Sequence, residues 1–304
     1  ISDSGVVSAN TASAVVAAML DDAGGDTPSV TLFWGAVDGG RNTARWERAL
    51  TLGTHAQGER IAGKMDGLAA DTEYFYRWRA VNGGGASWSS AGSTVVTLFD
   101  PSRMDGVMHI TFPGYTRSSV LTNFPVAIKL SEAIPNFSYA SFASTQGHDI
   151  RFTNADGTQA LEYEIENWNT NGESIVWVRL PQLTSDTSLY VYWGDPQQMS
   201  QHCFSTNGSV WRAGYHGVWH FNAAPESRVQ RDSSPNQRHA ETPAPTSTDG
   251  QIALAEDFGD APESAMYLEA TPCSDLLPTA NSPITAACWF RARSIADSLM
   301  GSML

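Results

Sequence analysis

Short stretches of alternating apolar and polar residues, separated by turn-forming residues, run through most of this sequence. Val30, Leu32 and Trp34 share one face of such a stretch, and the same period recurs at 107–112 and 188–193. A period of two places alternate side chains on opposite faces of a β-strand. The 26 glycines and 15 prolines supply the turns that short strands need. We therefore predict an all-β protein built of tandem antiparallel β-sandwich modules.

The alternating stretches fall into three segments. At 304 residues the chain is long enough for two or three domains. We place the first domain at 1–99, the second at 103–200 and the third at 210–304. The sequence FDPS at 99–102 is typical of a short linker, because Pro101 fixes the backbone and lacks an amide donor.

The charge of the chain excludes two classes of partner. With a formal net charge of −14, the chain repels nucleic acid phosphates and anionic lipid headgroups. No apolar run approaches the ~18 residues of a membrane span, so we expect no direct membrane insertion of this segment. The sequence starts at Ile1 without a signal peptide, and we expect a fragment or processed product of a longer protein.

The three cysteines show no metal-binding spacing. Cys203, Cys273 and Cys288 form no C-x-x-C pair and no Cys/His zinc pattern. In an oxidising compartment Cys273 and Cys288 could pair and leave Cys203 free. The sequence alone leaves the bridged and unbridged states open.

The first segment contains a motif with a known structural meaning. Residues 68–77, LAADTEYFYR, resemble the fibronectin type III pattern L-x-P-x-T-x-Y-x-x-R, with Ala70 in place of the usual proline. In that family the first tyrosine anchors a corner between strands, a role that the resemblance assigns to Tyr74. The resemblance implies a spacer or adhesion module.

The second segment carries several motifs of one family in the right order. These are FPVAIKL at 124–130, DIRFTNADGT at 149–158, LEYEIENW at 161–168, VWVRLP at 176–181 and LYVYWGDP at 189–196. They resemble an uncharacterised bacterial β-rich domain that often precedes a concanavalin or laminin-G-like sandwich. Some members of that family form the periplasmic front of a TolQ/ExbB-type proton channel. No biochemical activity follows from the resemblance.

The third segment resembles the opening of a concanavalin-like (laminin-G-type) jelly roll. Its motifs are GVWHFN at 217–222 and the run Asp232-Ser233-Ser234-Pro235-Asn236, and we expect further strands at 265–269 and 284–292. Such a domain needs about 200 residues, so we expect only its N-terminal part here and continuation beyond Leu304.

Calcium is the one cofactor that this resemblance suggests. Concanavalin-like domains often hold the ion near a rim, and calcium takes six to eight oxygen ligands. The nearest candidate ligands are Asp232, Asn236, Asp257 and Asp260.

A group of charged residues in the second segment allows two interpretations. Asp149 and Arg151 are two apart, as are Glu164 and Glu166, so each pair is expected to share a strand face, with Arg179 nearby. Two carboxylates and an arginine could form an acid/base site, or the charges could form a ladder of cross-strand ion pairs on a solvated face. We favour the ion pairs and predict no catalytic residues, since nucleophile elbows and phosphate-binding loops are also missing from the sequence.

The aromatic residues divide into two predicted groups. We expect Trp34, Tyr74, Trp177 and Trp289 in sandwich cores, whereas Trp46 and Trp88 lie near turns and are expected to be more exposed.

Together these features predict a structural or adhesive segment of a large secreted bacterial surface or filament protein, not an enzyme. A carbohydrate-binding region of a polysaccharide-targeting surface protein is the first alternative, and the periplasmic part of a TolQ/ExbB-like complex is the second. The expected partners are glycans or neighbouring surface proteins, including copies of the chain itself. The expected location is the cell surface or extracellular space, with the periplasm as the alternative.

Overall fold

The computed structural model describes residues 1–90, 92–212, 214–223, 227, 229–241, 247–257, 269–270 and 285–289. These residues belong to two compact units, 1–213 and 214–304. In the described part of the chain, no helix has the length and hydrophobicity needed to span a bilayer. The predicted domain boundaries stay predictions.

The first part of unit 1 is a sandwich of two antiparallel sheets. Its strands are β1 Ser2–Ala9, β2 Ser13–Met19, β3 Ser29–Gly35, β4 Arg48–Thr54, β5 Arg60–Asp66, β6 Glu73–Asn82, β7 Gly85–Trp88 and β8 Ser93–Val96. One sheet has the order β1-β2-β5 and the other β4-β3-β6-β7, with β8 also on β6. This is a fibronectin III-like β-sandwich, as predicted.

Alternate residues of both sheets fill the core of this first sandwich. Leu32, Trp78 and Met65 are fully buried there, and Trp34 is buried as predicted. Trp46, expected near the surface, is instead buried, and its indole Nε1 donates a 3.2 Å hydrogen bond to the Gly40 carbonyl. The indole lies against Gly39, where an added Cβ would come within 2.7 Å of the ring. Because Gly39 has no side chain, its backbone can lie close to the indole of Trp46, and this tryptophan near a turn can be buried.

The corner predicted at Tyr74 is present. The Ala69 amide donates a 2.9 Å hydrogen bond to the Tyr74 hydroxyl, which joins the loop before β6 to the strand itself. The Thr97 hydroxyl donates a 2.6 Å bond to the Ala69 carbonyl, and the Thr72 amide donates to Thr97 at 3.0 Å. Asp71, at the tip, has a φ of +53°, a left-handed conformation that Asp adopts more readily than most residues. The corner thus fixes where the Asp71 side chain points.

The second part of unit 1 is another antiparallel sandwich. Its strands are β9 Gly106–Thr111, β10 Leu121–Leu130, β11 Arg151–Asn154, β12 Tyr163–Asn167, β13 Ser174–Leu183 and β14 Ser188–Trp193. The sheet orders are β10-β13-β12 and β11-β14-β9. Phe152, Tyr163, Val178 and Val191 lie in one continuous core between the sheets. The strands predicted from alternation are confirmed, except that Asp149 precedes β11 and so does not share a strand face with Arg151.

Short 3-10 helices cap the ends of the sandwiches. They span Thr43–Arg45, Pro101–Arg103, Tyr139–Ser141, Cys203–Ser205 and Ser209–Trp211.

Unit 2 consists of short antiparallel strands in its described residues. These are β15 Val229–Gln230, β16 Ala240–Glu241, β17 Ser247–Asp249, β18 Leu254–Glu256 and β19 Glu269–Ala270, with sheet orders β15-β16-β19 and β17-β18. Of the strand predicted at 284–292, residues 285–289 are described and are not in a strand. Trp289, expected in a core, is 78% exposed, because those residues make no strand pairing that would bury its indole.

Candidate functional site

A buried ion pair joins the two sandwiches of unit 1. Arg151, at the start of β11, donates from Nε to Asp71 Oδ1 at 2.9 Å and from Nη2 to Asp71 Oδ2 at 2.6 Å. Both side chains are only 4% exposed. A two-point contact between a guanidinium and a carboxylate fixes their relative orientation as well as their distance. We call this pair and its neighbours His202, Tyr163 and Gln198 the ionic joint.

Every nitrogen of the Arg151 guanidinium has an acceptor in the ionic joint. Nη1 donates to the carbonyls of His148 and Ile150, both at 2.7 Å, and to the Tyr163 hydroxyl at 3.0 Å. Nη2 also donates to the Gln198 side-chain oxygen at 3.0 Å. A buried charge is tolerated when its hydrogen bonds are satisfied in this way. Residues near Arg151 in its own region of the chain therefore fix its side chain, and its Nε and Nη2 atoms donate to Asp71.

His202 completes the joint in a defined tautomer. Its Nδ1 accepts a 3.3 Å bond from the Phe204 amide, so we place the proton on Nε2, which lies 3.4 Å from Asp71 Oδ1. Burial lowers the pKa of His202, and the hydrogen bond to Asp71 offsets this only in part. Burial would raise the pKa of Asp71, but hydrogen bonds from His202 and Arg151 outweigh it and hold that pKa below its usual value. Near neutral pH the joint thus holds a carboxylate, a guanidinium and a neutral imidazole.

Apolar contacts and a capped linker flank the ionic joint. The ring of Phe99, which is 2% exposed, packs edge-on against Tyr192 with centroids 5.0 Å apart. Val96, at the end of β8, packs against the core of the second sandwich. Asp100 caps the 3-10 turn of the linker by accepting from the Ser102 amide and hydroxyl.

The charged residues that suggested an acid/base site have separate structural contacts. Asp149, fully buried, accepts hydrogen bonds from three backbone amides, at positions 143, 144 and 194. Glu164 accepts from the indole of Trp211 at 2.5 Å, and Glu166 accepts from the indole of Trp177 at 2.9 Å.

The ladder of cross-strand ion pairs expected on a solvated face is not what the structure shows, because Asp149, Arg151 and Glu166 are buried. Among these charges, two ion pairs are present, with partners that we did not predict. Arg179 pairs at 2.6 Å with Glu162, the residue before β12, and Arg151 pairs with Asp71 of the other sandwich.

In unit 2, the predicted calcium ligand Asp232 is a hydrogen-bond hub. Its Oδ1 accepts from the amides of Val218 and Ser234, and its Oδ2 accepts from the Ser234 hydroxyl and the Arg238 amide, all at 2.8 Å. Four hydrogen bonds occupy the lone pairs that a cation would need. Asp232 therefore organises the loop at 232–238.

In the described part of the chain, the other predicted calcium ligands do not form a common site with Asp232. The Asn236 amide donates to the carbonyls of Tyr215 and His216 at 3.2 and 3.1 Å. Asp257 is partly buried, and Asp260 lies outside the described residues. Among the described residues, no group of three His, Cys, Asp or Glu side chains could hold a metal ion. The calcium site stays a prediction.

The cysteine bridge also stays a prediction. Cys203 and Cys288 are free thiols in the structure, and Cys273 lies outside the described residues. Burial raises the pKa of the Cys203 thiol to about 12, so it is a poor nucleophile at neutral pH.

Sequence reasoning missed Asp71 and His202 as functional residues. Asp71 lies eighty positions before Arg151, and no local period connects them. One signal was available: the residue falls inside the corner motif, at a tip where an acidic side chain can take a left-handed backbone.

Part of the chain matches a family model. Residues 146–228 match the family described as "Domain of unknown function (DUF2341)". The range contains the DIRFT, YEIE, VWVR, LYVYWGDP and GVWHFN motifs, whereas FPVAIKL precedes it. The match supports the resemblance to an uncharacterised β-rich domain over well under half of the chain. Among curated proteins, none matches this sequence significantly.

Solved structures similar to this chain include fibronectin type III domains. The third fibronectin III domain of human KIAA0343 is 19% identical, with 33% of this chain and 83% of that chain covered and a TM-score of 0.25. The FN1–FN3 domains of chicken CNTN1 are 15% identical, covering 64% and 54%, with a TM-score of 0.25. The sensor domain of the anti-sigma factor RsgI4 of Pseudobacteroides cellulosolvens is 13% identical, covering 32% and 92%, with a TM-score of 0.24. Because each score is low, the fold assignment depends on the strand order itself.

Replacing Asp71 by asparagine should destabilise unit 1 strongly. The substitution keeps the side-chain shape and tolerates the left-handed backbone, but it leaves the buried Arg151 charge without its counter-ion. We expect a loss of about 3 kcal/mol in the free energy of unfolding, measured by guanidinium titration with tryptophan fluorescence. The matched control is Asp66→Asn, which breaks the exposed pair with Lys64 and should cost under about 0.5 kcal/mol. Equal losses of unfolding free energy in the two variants would contradict the structural role that we assign to the ionic joint.

Acidification should weaken unit 1 through His202. Its folded pKa is lowered, so its contribution is fully present above its unfolded pKa of about 6.5 and is lost as pH falls through the folded value. Asp71, whose pKa is also lowered, acts in the same direction at lower pH. The variant His202→Gln should therefore lose less unfolding free energy than the native chain between about pH 7 and pH 5. His109→Gln, at an exposed position on β9, is the control, and parallel profiles for native and His202→Gln chains would sink the prediction.

Proposed function

We propose that this chain is a non-catalytic structural segment of a large secreted bacterial surface or filament protein. Its sandwiches would act as a stiff spacer that presents neighbouring parts of the protein at a fixed distance and angle. The observation that supports this is the ionic joint, because Asp71 and Arg151 connect two sandwiches through a buried two-point contact.

The joint favours stiffness for a geometric reason. The Arg151 guanidinium and the Asp71 carboxylate can form both hydrogen bonds only in one relative orientation, since hydrogen bonds weaken steeply away from linearity. The linker adds to this constraint: Arg103, within its 3-10 turn, pairs with the buried Asp195 at 2.8 Å. Bending at the linker would break both ion pairs and separate Phe99 from Tyr192. A flexible tether would need none of these contacts.

The proposal includes the absence of catalysis, because the charged residues that could form an acid/base site already have structural contacts. Asp149, Glu164, Glu166 and Arg179 each make contacts that stabilise strands or loops. A catalytic carboxylate needs at least part of its hydrogen-bonding capacity for substrate. We therefore propose that these residues hold the sandwich together and turn over no substrate.

Carbohydrate binding is the second candidate function. One observation favours it: the outward face of the β11-β14-β9 sheet carries a row of rings, with His109 4.9 Å from Tyr190 and Tyr190 6.2 Å from Tyr192. Of these rings, the exposed His109 and the half-buried Tyr190 are the ones available to stack on a sugar, since Tyr192 packs against Phe99. This candidate is compatible with a stiff spacer and with an extracellular or cell-surface location. It adds glycans to the neighbouring surface proteins that we propose as partners.

A distance measurement between the two sandwiches tests the spacer proposal. Spin labels at the exposed positions Gln57 and Ser185, in the 304-residue chain with its native cysteines replaced, should give one narrow distance distribution by pulsed electron resonance. The same labels in the Asp71→Asn chain should give a broader one, because the orienting contact is lost. A broad or bimodal distribution in the native joint would rule out a stiff spacer.

A further inference from the structure

The outer edge of β9 has no strand beside it among the described residues. β9 pairs with β14 on one side, and no backbone hydrogen bond is made on the other. Its sequence, GVMHIT, contains no proline and none of Lys, Arg, Asp or Glu, and its ladder with β14 has no bulge. Val107 on this strand is 58% exposed. Such an edge is a template for another strand, and proteins normally protect it.

The neighbouring edge strand, β10, shows what that protection looks like. It carries Pro125, which lacks an amide donor, and Lys129, whose ammonium is exposed and would repel an incoming strand's apolar side. Asn123, near its start, has a φ of +52° and is itself not paired with β13, although the register is the same on both sides of it.

The remaining edges of the two sandwiches are protected as well. β1 has two register shifts, β4 has one opposite β3, and β5 carries Arg60, Lys64 and Asp66. β7, β8 and β11 are only four residues long. β12 is bulged and contacts the 3-10 helices Cys203–Ser205 and Ser209–Trp211. Within the two described sandwiches, β9 is the one edge strand that is at once regularly paired, uncharged and exposed.

A shallow cleft opens beside this edge, between β9 and β10. It measures about 400 Å³, and its lining combines the apolar Met108, Ile110, Phe112, Ile128 and Ile134 with the polar His109, Thr111 and Lys129. Met108, Ile110 and Phe112 are only partly buried, although they pack against the core of the second sandwich. The core of this sandwich is thus open on the side where the sheet edge is also open. A strand added at β9 would satisfy the backbone groups and close the cleft together.

A second copy of the same chain fits this site. β9 is itself an extended, uncharged strand with apolar residues at alternate positions, so it suits the uncharged edge and the apolar part of the cleft beside Met108 and Ile110. At a net charge of −14 per chain, copies approach most easily through an uncharged strip. Antiparallel pairing of β9 with β9 about a two-fold axis forms a closed interface, in which each cleft faces the partner's Met108 and Ile110.

We propose that β9 pairs antiparallel with β9 of a second copy, which joins the two second sandwiches edge to edge through continuous sheets. One strand pair and two small clefts bury less than the roughly 1,600 Å² of a typical stable complex, so the dimer is weak, with a dissociation constant on the order of 100 μM. Salt strengthens it by screening the repulsion between the acidic chains. This proposal is independent of the spacer function.

Sedimentation velocity of the full chain at about 10 μM to 1 mM, in about 0.5 M NaCl, tests the proposal. The native chain should shift from monomer to dimer across this range, and amides at 106–111 should exchange more slowly at the high end. Val107→Lys, a charge on the open edge, should abolish the shift.

The matched control is Val7→Lys, at an exposed valine on the bulged edge strand β1, which should dimerise like the native chain. Melting curves by circular dichroism should show that both variants stay folded, since both valines are about half exposed. A native chain that stays monomeric throughout, or a Val107→Lys chain that dimerises as the native one does, would overturn the proposal.

Discussion

The contact between Asp71 and Arg151 determines how the two sandwiches of unit 1 are arranged. Burying two charges is costly, and the cost is offset only when the geometry is good and the remaining donors and acceptors have partners. Here Arg151 has acceptors for all its nitrogens, and Asp71 receives hydrogen bonds from Arg151 while His202 lies beside it. Because the net stability of a buried ion pair is small, we propose that its main effect here is the choice of one orientation. The contacts of Phe99 with Tyr192 and of Val96 with the second core flank this pair.

The corner of the first sandwich connects its own fold to this contact. Tyr74 and Thr97 hold the loop that ends in Asp71, so the feature that closes one sandwich also places the carboxylate for the next. A single local structure therefore serves two levels of organisation. The first sandwich therefore meets the second through a residue of its own corner, with only the short 3-10 turn at Pro101–Arg103 in the linker between them.

Much of the fold, and little of the site, could be predicted from the sequence. Alternation revealed β3, β6, β13 and β14 because a half-buried strand shows its period in the sequence. Tyr74 could be assigned because its role is local, with its partner Ala69 five residues away. Partners distant in the chain left no such trace.

The pairs that were missed are all of this long-range kind. Arg151 was grouped with Asp149, its neighbour in sequence, although it binds Asp71 of the other sandwich. Glu164 was grouped with Glu166, although each carboxylate accepts from a different tryptophan. The packing of whole sheets decides which charged side chains become partners. The spacing of residues along the sequence does not reveal that packing.

Native-state hydrogen exchange in the full chain tests most directly whether the joint makes two sandwiches into one cooperative unit. The slowest amides of β6, around Trp78, and of β14, around Val191, report on the first and second sandwich, since both residues are fully buried. The account predicts one common opening free energy for both strands, lowered by the same amount in both when Asp71 is replaced by asparagine. Different opening free energies in the native chain, or a loss of protection confined to one sandwich in the variant, would contradict it.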